Sequence, residues 1–319
     1  MFERRGALVH PNELDEMWLH EMKRLQLNIL GLHPRGGRWA INCLDDMLCR
    51  LKTTEMKRLL AMAEDMGITV EYEMHAMSWL MPRKWFGDHP EWFRMNEAGE
   101  RVPDLNICAS SPEALERLTE RSEFLARQLP TSSHRYYFWL DDAGQSACHC
   151  PACTGLTPSD QQMICLNAML RGIRAADPQA KLAYIAYIDT MKIPEHVKPD
   201  EGIFLEYAPI KRRMDIPLFQ PGCPENEKET AELSKLLEFF GTKDSQVLEY
   251  WLDNSYFSKW TFPPKQFSLQ ESVMRQDVAD YKKLGFESVT TFACFLGEAY
   301  RTQFGLPDIS AYGDALLGK

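Results

Sequence analysis

Short apolar segments alternate with longer amphipathic segments along the whole chain. The apolar segments are rich in β-branched and aromatic residues, a composition typical of buried strands. The predicted strands cover residues 6–10, 28–33, 68–75, 134–142, 181–189, 203–210, 246–253 and 288–300. The segments between them repeat apolar residues at helical spacing, and the predicted helices cover residues 12–27, 43–66, 111–129, 159–176, 225–241 and 269–285.

Eight strands separated by helices predict an α/β fold, a single (β/α)8 TIM barrel. An open, doubly wound sheet is the alternative, but no glycine-rich phosphate loop follows the first strand. The chain also lacks a linker-like Pro/Gly/Ser tract, so we predict one domain over residues 1–319.

Capping residues help to locate two helix starts. Asn12 could cap the first helix, and Ser110 or Ser111 could cap the third, with Pro112 in its first turn. The helix over residues 43–66 is expected to be continuous and to stop at Gly67.

Composition excludes several classes of protein. A net charge of −10 and an isoelectric point near 5.4 argue against a nucleic-acid partner, because phosphate contacts require a basic surface. No apolar run reaches the ~18 residues of a membrane span. The first sixteen residues lack an apolar signal region, so a cytoplasmic location is expected for the chain as given.

Polar and aromatic residues collect where the predicted strands end. In a barrel of this type the carboxyl ends of the strands build the active site. Aromatic faces stack on sugar rings and carboxylates bind hydroxyls, so we predict an oligosaccharide or glycan ligand. Taken singly, such a residue is more often a cap or a surface ion-pair partner. The candidate substrate-binding residues are His33, Glu73, His75, Trp79, Tyr207, Tyr250, Trp251 and Glu298.

Two adjacent carboxylates, Asp141 and Asp142, follow the fourth strand. Neighbouring strand residues point to opposite faces, so both face substrate only if the strand breaks there, which Ala143-Gly144 permits. Two close carboxylates push their pKa values apart, leaving one protonated and one ionised. A loop-capping role for Asp142 is the alternative.

Three cysteines, Cys148, Cys150 and Cys153, lie within a stretch of six residues after this pair. Thiolates so close can hold one ion, and a structural zinc site needs four ligands. Cys108 is the obvious fourth ligand, with His149 or water as alternatives. Reduced thiols without metal and an iron–sulfur cluster are the competing interpretations. The five remaining cysteines are scattered singly, as reduced thiols are. No organic cofactor is expected.

Two stretches, "HPEWFRMNEAGERVPDLNICASSPEALE" and "LEYWLDNSYFSKWTFPPKQF", together with "CHCPAC", resemble the DUF4838 family. That family underlies glycoside hydrolase family 163 and is related to family 20 hexosaminidases and family 67 glucuronidases. The resemblance implies endo-β-N-acetylglucosaminidase activity on glycans. Longer relatives carry an additional N-terminal domain, so we expect this chain to be a minimal version or a fragment.

The pair also resembles the Asp-Glu pair of family 20. That resemblance implies that Asp141 orients the substrate's acetamido group and that Asp142, one methylene shorter than Glu, is the general acid. A non-catalytic glycan-binding barrel is the alternative.

The thiols resemble the four-cysteine zinc site of family 42 β-galactosidases. This implies a structural zinc on Cys108, Cys148, Cys150 and Cys153, and again favours Asp142 as acid/base. A retaining mechanism then needs a second carboxylate about 5–5.5 Å away. Glu249 or Asp253 on the seventh strand is the predicted nucleophile.

Overall fold

The computed structural model describes residues 1–319 and contains a closed barrel of eight parallel strands in sequential order. This confirms the predicted (β/α)8 fold and excludes the open sheet. The strands are β1 (Arg4–Val9), β2 (Ile29–Leu32), β3 (Thr69–His75), β4 (Arg135–Trp139), β5 (Lys181–Ala186), β6 (Ile203–Tyr207), β7 (Gln246–Glu249) and β8 (Ser288–Phe292). Closure is made by β1, which pairs with β2 through Ala7 and Leu30 and with β8 through Ala7 and Thr291.

Helices fill the connections between the strands. They are α1 (Glu16–Arg24), α2 (Ala40–Arg50), α3 (Thr54–Asp65), α4 (Met77–Leu80), α5 (Pro112–Gln128), α6 (Pro158–Ala176), α7 (Pro224–Thr230), α8 (Leu233–Phe240), α9 (Asn254–Phe257), α10 (Glu271–Lys283), α11 (Glu298–Phe304) and α12 (Ser310–Leu317). None of them is both long enough and apolar enough to cross a bilayer.

Side-chain caps explain where several helices begin. Ser111 accepts a hydrogen bond from the Ala114 N–H at 3.4 Å and Pro112 follows it, as predicted for α5. The first helix is capped by Asp15 rather than by Asn12, because the Asp15 carboxylate accepts from the Trp18 N–H at 3.0 Å.

Two predicted helices are each divided into two. The 43–66 segment is interrupted because Thr53 accepts from the Met56 N–H and starts a new helix, α3. The 225–241 segment likewise forms α7 and α8, which break near Ala231. Apolar periodicity continues through such breaks, so it does not reveal them.

The chain divides into two compact units. One comprises Met1–His33, Cys49–Glu71 and Glu206–Lys319, and the other comprises Pro34–Leu48 and Tyr72–Leu205. We call them the first and second units. The single-domain assignment remains a prediction.

Candidate active site

Asp142 belongs to the second unit and is a partly exposed carboxylate. It follows the end of β4, and its side chain is 31% exposed. Its Oδ1 accepts a hydrogen bond from the Tyr187 hydroxyl at 2.9 Å, and the Nε2 of His75 lies 3.7 Å from the same oxygen. Tyr187 directly follows β5, and His75 ends β3. Three neighbouring strands therefore bring an acid, a phenol and an imidazole together at their carboxyl ends.

The imidazole of His75 is held from its other side. Its Nδ1 lies 2.7 Å from the Leu140 carbonyl oxygen, and its ring contacts the edge of Trp139 at 5.0 Å. With Nδ1 turned to this carbonyl, Nε2 is the ring nitrogen that faces Asp142. Gly36 leaves room for this arrangement, because a Cβ there would lie 2.8 Å from His75 Cδ2 and 3.0 Å from Asp142 Oδ2. We call Asp142, His75 and Tyr187 the Asp142 site.

Asp141 has a different role from the one expected. Its side chain is only 8% exposed, and its Oδ2 is bound by the Arg83 guanidinium and by the Asn106 N–H at 2.6 Å. The Asn106 side chain in turn accepts from the Asp141 N–H at 2.9 Å. Burial raises the pKa of Asp141, and Arg83 opposes that rise. The carboxylate therefore clamps the end of β4 to the preceding loop and is not free to orient a substrate.

The four cysteines form one cluster beside this segment. Their Sγ atoms all lie within 4.8 Å of one another, and every one of the four residues is buried. Cys108 Sγ is 3.6 Å from that of Cys150 and 3.8 Å from that of Cys153. These distances exceed the ~2.05 Å of a disulfide. They match the ~3.8 Å between sulfurs held tetrahedrally at ~2.3 Å from a zinc ion.

Neighbouring donors suit thiolates in this cluster. The Met95 N–H donates to Cys148 Sγ at 3.3 Å, and the Arg101 guanidinium lies 3.8 Å from the same sulfur. Hydrogen bonds from the adjacent thiols lower the pKa of Cys108, whereas the hydrogen bond to Cys108 raises the pKa of Cys148 and of Cys153. The four clustered sulfurs can hold a metal ion, and Cys108 lies in the cluster with the other three.

In the first unit, Glu249 is not at a solvent-accessible position. Its carboxylate accepts from Arg212 Nη1 at 2.7 Å and from the Tyr281 hydroxyl at 2.6 Å. Arg212 also pairs with Asp277 at 2.7 Å, and all three charged side chains are 0% exposed. Because Tyr281 and Asp277 lie on α10, Glu249 faces the helix layer. This burial and pairing fit a structural role for Glu249, and its role as the nucleophile stays a prediction.

Asp253 serves as the cap of α9. Its Oδ1 accepts from the Ser255 N–H at 3.0 Å, the Ser255 hydroxyl at 2.6 Å and the Tyr256 N–H at 3.2 Å. Burial raises its pKa to about 6. A carboxylate with this many donors in its own turn is poorly placed to attack a substrate.

Two aromatic residues predicted to bind substrate also face the helix layer. The Tyr207 hydroxyl donates to the Glu229 carbonyl at 3.0 Å, and Trp251 Nε1 donates to Asp277 Oδ2 at 3.1 Å. Burial raises the pKa of Tyr207 well above its usual value. These contacts belong to the protein core, so neither residue is retained as a sugar-binding candidate.

His33 and Tyr250 are brought together by Phe292. The His33 ring meets the edge of Phe292 at 4.8 Å, and Tyr250 stacks on it at 5.2 Å. Both candidates lie at strand ends, as predicted, and both are nearly buried. A role for them in substrate binding stays a prediction.

The last three candidates are dispersed. Trp79 donates to Asp45 Oδ1 at 2.6 Å and packs under the Arg121 guanidinium at 4.2 Å, which makes it part of the helix packing. Glu73 is fully buried within β3, whereas Glu298 is exposed at the start of α11. The role of these three residues in substrate binding stays a prediction.

Arg83 and Asn106 were not among the predicted site residues, and neither was Tyr187. Tyr187 carried a detectable signal, since it is an aromatic residue near the end of the predicted strand over residues 181–189. Arg83 and Asn106 lie in the long loop after β3, where no periodic pattern indicates which side chain turns inward.

The fold and the Asp142 site together define a (β/α)8 barrel with a carboxylate at the end of its fourth strand. The chain belongs to the DUF4838 family, described as a domain of unknown function, whose family model matches residues 45–250. No curated protein sequence matches the chain significantly.

Several solved structures share the fold at low sequence identity. A cold-adapted β-galactosidase from Rahnella sp. R3 is 14% identical with a TM-score of 0.54, covering 99% of this chain and 56% of its own. The β-galactosidase from Marinomonas ef1 is 13% identical with a TM-score of 0.57. The match covers 99% of this chain and 58% of the galactosidase chain. An O-GlcNAc hydrolase mutant from Thermobaculum terrenum is 10% identical with a TM-score of 0.54, covering 98% and 59%. The chain thus spans a little over half of the length of these proteins.

Proposed function

We propose that the protein is a glycoside hydrolase in which Asp142 is the general acid. The observation that carries this proposal is the position of Asp142, partly exposed just beyond β4 with one oxygen held by Tyr187. Anchoring Oδ1 leaves Oδ2 to face a glycosidic oxygen. A positioned carboxyl group typically contributes about 10²–10⁴-fold to such a rate. In this scheme Tyr187 and His75 position the acid and do not themselves react.

The proposed substrate is a glycan containing β-linked N-acetylglucosamine. Such a sugar carries its own nucleophile, the 2-acetamido oxygen, which attacks the anomeric carbon while Asp142 protonates the departing oxygen. Water then attacks the anomeric carbon and opens the cyclic intermediate. Asp142 takes a proton from this water and is protonated again. Substrate assistance needs no carboxylate nucleophile from the protein, which fits a chain in which Glu249 is held by other partners. The similar O-GlcNAc hydrolase, named for N-acetylglucosamine, supports this sugar.

The cysteine cluster is proposed to bind a structural zinc ion. Cys108 follows the long loop after β3, whereas Cys148, Cys150 and Cys153 follow β4, so one ion joins both segments. When bound, the ion supplies a cross-link and has no contact with substrate. It would act on catalysis only by fixing the chain that leaves Asp142.

A glycan-binding barrel without turnover is the second candidate. It is favoured by the burial of Glu249, since a family 42-like retaining mechanism would lack its strand-seven nucleophile. This candidate predicts sugar binding to the Asp142 site with no bond cleavage.

One experiment separates the two candidates. A glycoprotein bearing desialylated complex N-glycans is incubated with the protein, and released oligosaccharides are identified by mass spectrometry. We expect release that falls about 10²–10⁴-fold in Asp142→Asn. Asp65→Asn is the matched control, because Asp65 is exposed on α3. Binding of the glycan in calorimetry without release would favour the binding barrel, and equal release by Asp142→Asn would refute the assignment of the acid.

A further inference from the structure

Three metal-binding side chains meet in the first unit, outside the Asp142 site and the cysteine cluster. His10 follows β1, Glu13 lies in the next turn, and Cys294 follows β8. One ligand atom from each lies within 4.8 Å of the other two. His10 and Cys294 are buried, and Glu13 is partly buried. We call these residues the His10 cluster.

The imidazole of His10 is oriented as metal-binding imidazoles usually are. Its Nδ1 lies 2.8 Å from the His33 carbonyl oxygen, and its ring is stacked with that of His33 at 5.9 Å. A histidine that ligates a metal commonly donates its other ring N–H to a backbone carbonyl, which fixes the tautomer. The same contact here turns the lone pair of Nε2 away from His33.

The carboxylate of Glu13 is also fixed from behind. Its Oε2 accepts from the Phe295 N–H at 2.9 Å. Gly297 allows the chain to approach closely, because a Cβ at that position would lie 2.9 Å from the Cβ of Glu13. Phe295 follows Cys294 directly, so the segment that holds Glu13 also carries the thiol.

From this geometry we propose that His10, Glu13 and Cys294 bind one divalent transition-metal ion of the zinc type. Imidazole nitrogen, carboxylate oxygen and thiolate sulfur together suit zinc, whereas calcium and magnesium prefer oxygen ligands alone. Tetrahedral ligands around zinc lie ~3.3–3.8 Å apart, so the side chains need to close by about 1 Å. Three protein ligands leave the fourth position open to water.

This proposal is independent of the proposed glycosidase activity and of the four-cysteine cluster. The competing explanation is a polar cluster without an ion, in which the Cys294 thiol donates weakly to the Leu8 carbonyl at 3.8 Å. The two explanations differ in metal stoichiometry, which can be measured without any substrate.

The test uses the full chain, prepared free of metal and then titrated with Co²⁺ under anaerobic conditions. Co²⁺ bound to a thiolate gives a near-ultraviolet charge-transfer band. We expect the wild type to bind two metal ions per chain if the cysteine cluster is filled, and one of them to be lost in Glu13→Gln and in Cys294→Ser. The side chain introduced by Glu13→Gln has the size of glutamate and retains an oxygen that can accept from the Phe295 N–H. We therefore expect the fold to persist. Cys49→Ser is the matched control, since Cys49 is an exposed thiol.

Each outcome of the metal titration either supports the proposed site or overturns it. An ion that disappears in Glu13→Gln and Cys294→Ser but survives in Cys150→Ser supports the proposal. Metal content that is the same in Glu13→Gln, Cys294→Ser and the wild type overturns it. So does an ion lost only in Cys150→Ser, because the four-cysteine cluster would then be the sole site.

Discussion

Replacing Glu249 by glutamine tests whether this residue stabilises the fold or performs chemistry. Glutamine has the size of glutamate but carries no charge. The Glu249 carboxylate accepts from Arg212 at 2.7 Å and from Tyr281 at 2.6 Å, and neither Arg212 nor Glu249 reaches solvent. We therefore expect the change to destabilise the protein without abolishing turnover by the folded molecules.

The size of the effect follows from these two contacts. A hydrogen bond to a charged group contributes about 1.5–3 kcal/mol, and a neutral one about 0.5–1.5 kcal/mol. Losing the charge at both contacts lowers the free energy of unfolding by about 2–3 kcal/mol. The full penalty of isolating a buried charge, about 3–5 kcal/mol, is not reached because Asp277 remains paired with Arg212 at 2.7 Å.

Urea unfolding followed by circular dichroism measures this change. The midpoint should fall while the slope with denaturant stays constant, since the same surface is exposed on unfolding. Glu271→Gln is the matched control, because Glu271 pairs with Arg275 on the exposed face of α10. Such a surface pair contributes less than about 0.5 kcal/mol.

Two results would contradict this reasoning. Unchanged stability in Glu249→Gln would show that the buried ion pair contributes little. Loss of glycan release from a variant that folds as stably as the wild type would restore Glu249 as the nucleophile.

Three further changes have defined outcomes. Burial raises the pKa of Asp277 to about 6, and Arg212 opposes that rise; relative to Asp277→Asn, the wild type should lose stability as the pH rises from 4 to 7, measured by urea titrations across that range. Ser111→Ala removes the acceptor for the Ala114 N–H and should lower the free energy of unfolding by about 1 kcal/mol in the same assay. Cys150→Ser should abolish zinc retention by the cysteine cluster and lower the melting temperature, whereas Cys49→Ser should change neither. If elemental analysis finds the same zinc content in Cys150→Ser as in the wild type, the structural metal is refuted.

The eight strands were predictable because each carries its own local signal. A strand of β-branched and aromatic residues is buried wherever it lies in the barrel, so its composition is nearly independent of its neighbours. Helix divisions were less visible, since the interruption before α3 depends on one capping threonine within a continuous apolar pattern.

The cysteine cluster was predictable for a related reason. Three of its members are fixed within six residues, and the fourth follows the adjacent strand, so parallel order alone brings them near one another. The Sγ separations of 3.6 and 3.8 Å are a property of the folded loops, and no sequence spacing gives them.

The sequence by itself determined the order of the elements, the barrel and the residues that could carry chemistry. The direction of each side chain was decided by tertiary structure. Asp141 and Asp142 are adjacent in sequence, yet one is held by Arg83 and Asn106 and the other by Tyr187. A strand pattern gives alternation only within the strand, and both residues lie beyond its last regular position. Where the strand ends, long-range partners set the orientation, and these partners are defined only once the chain has folded.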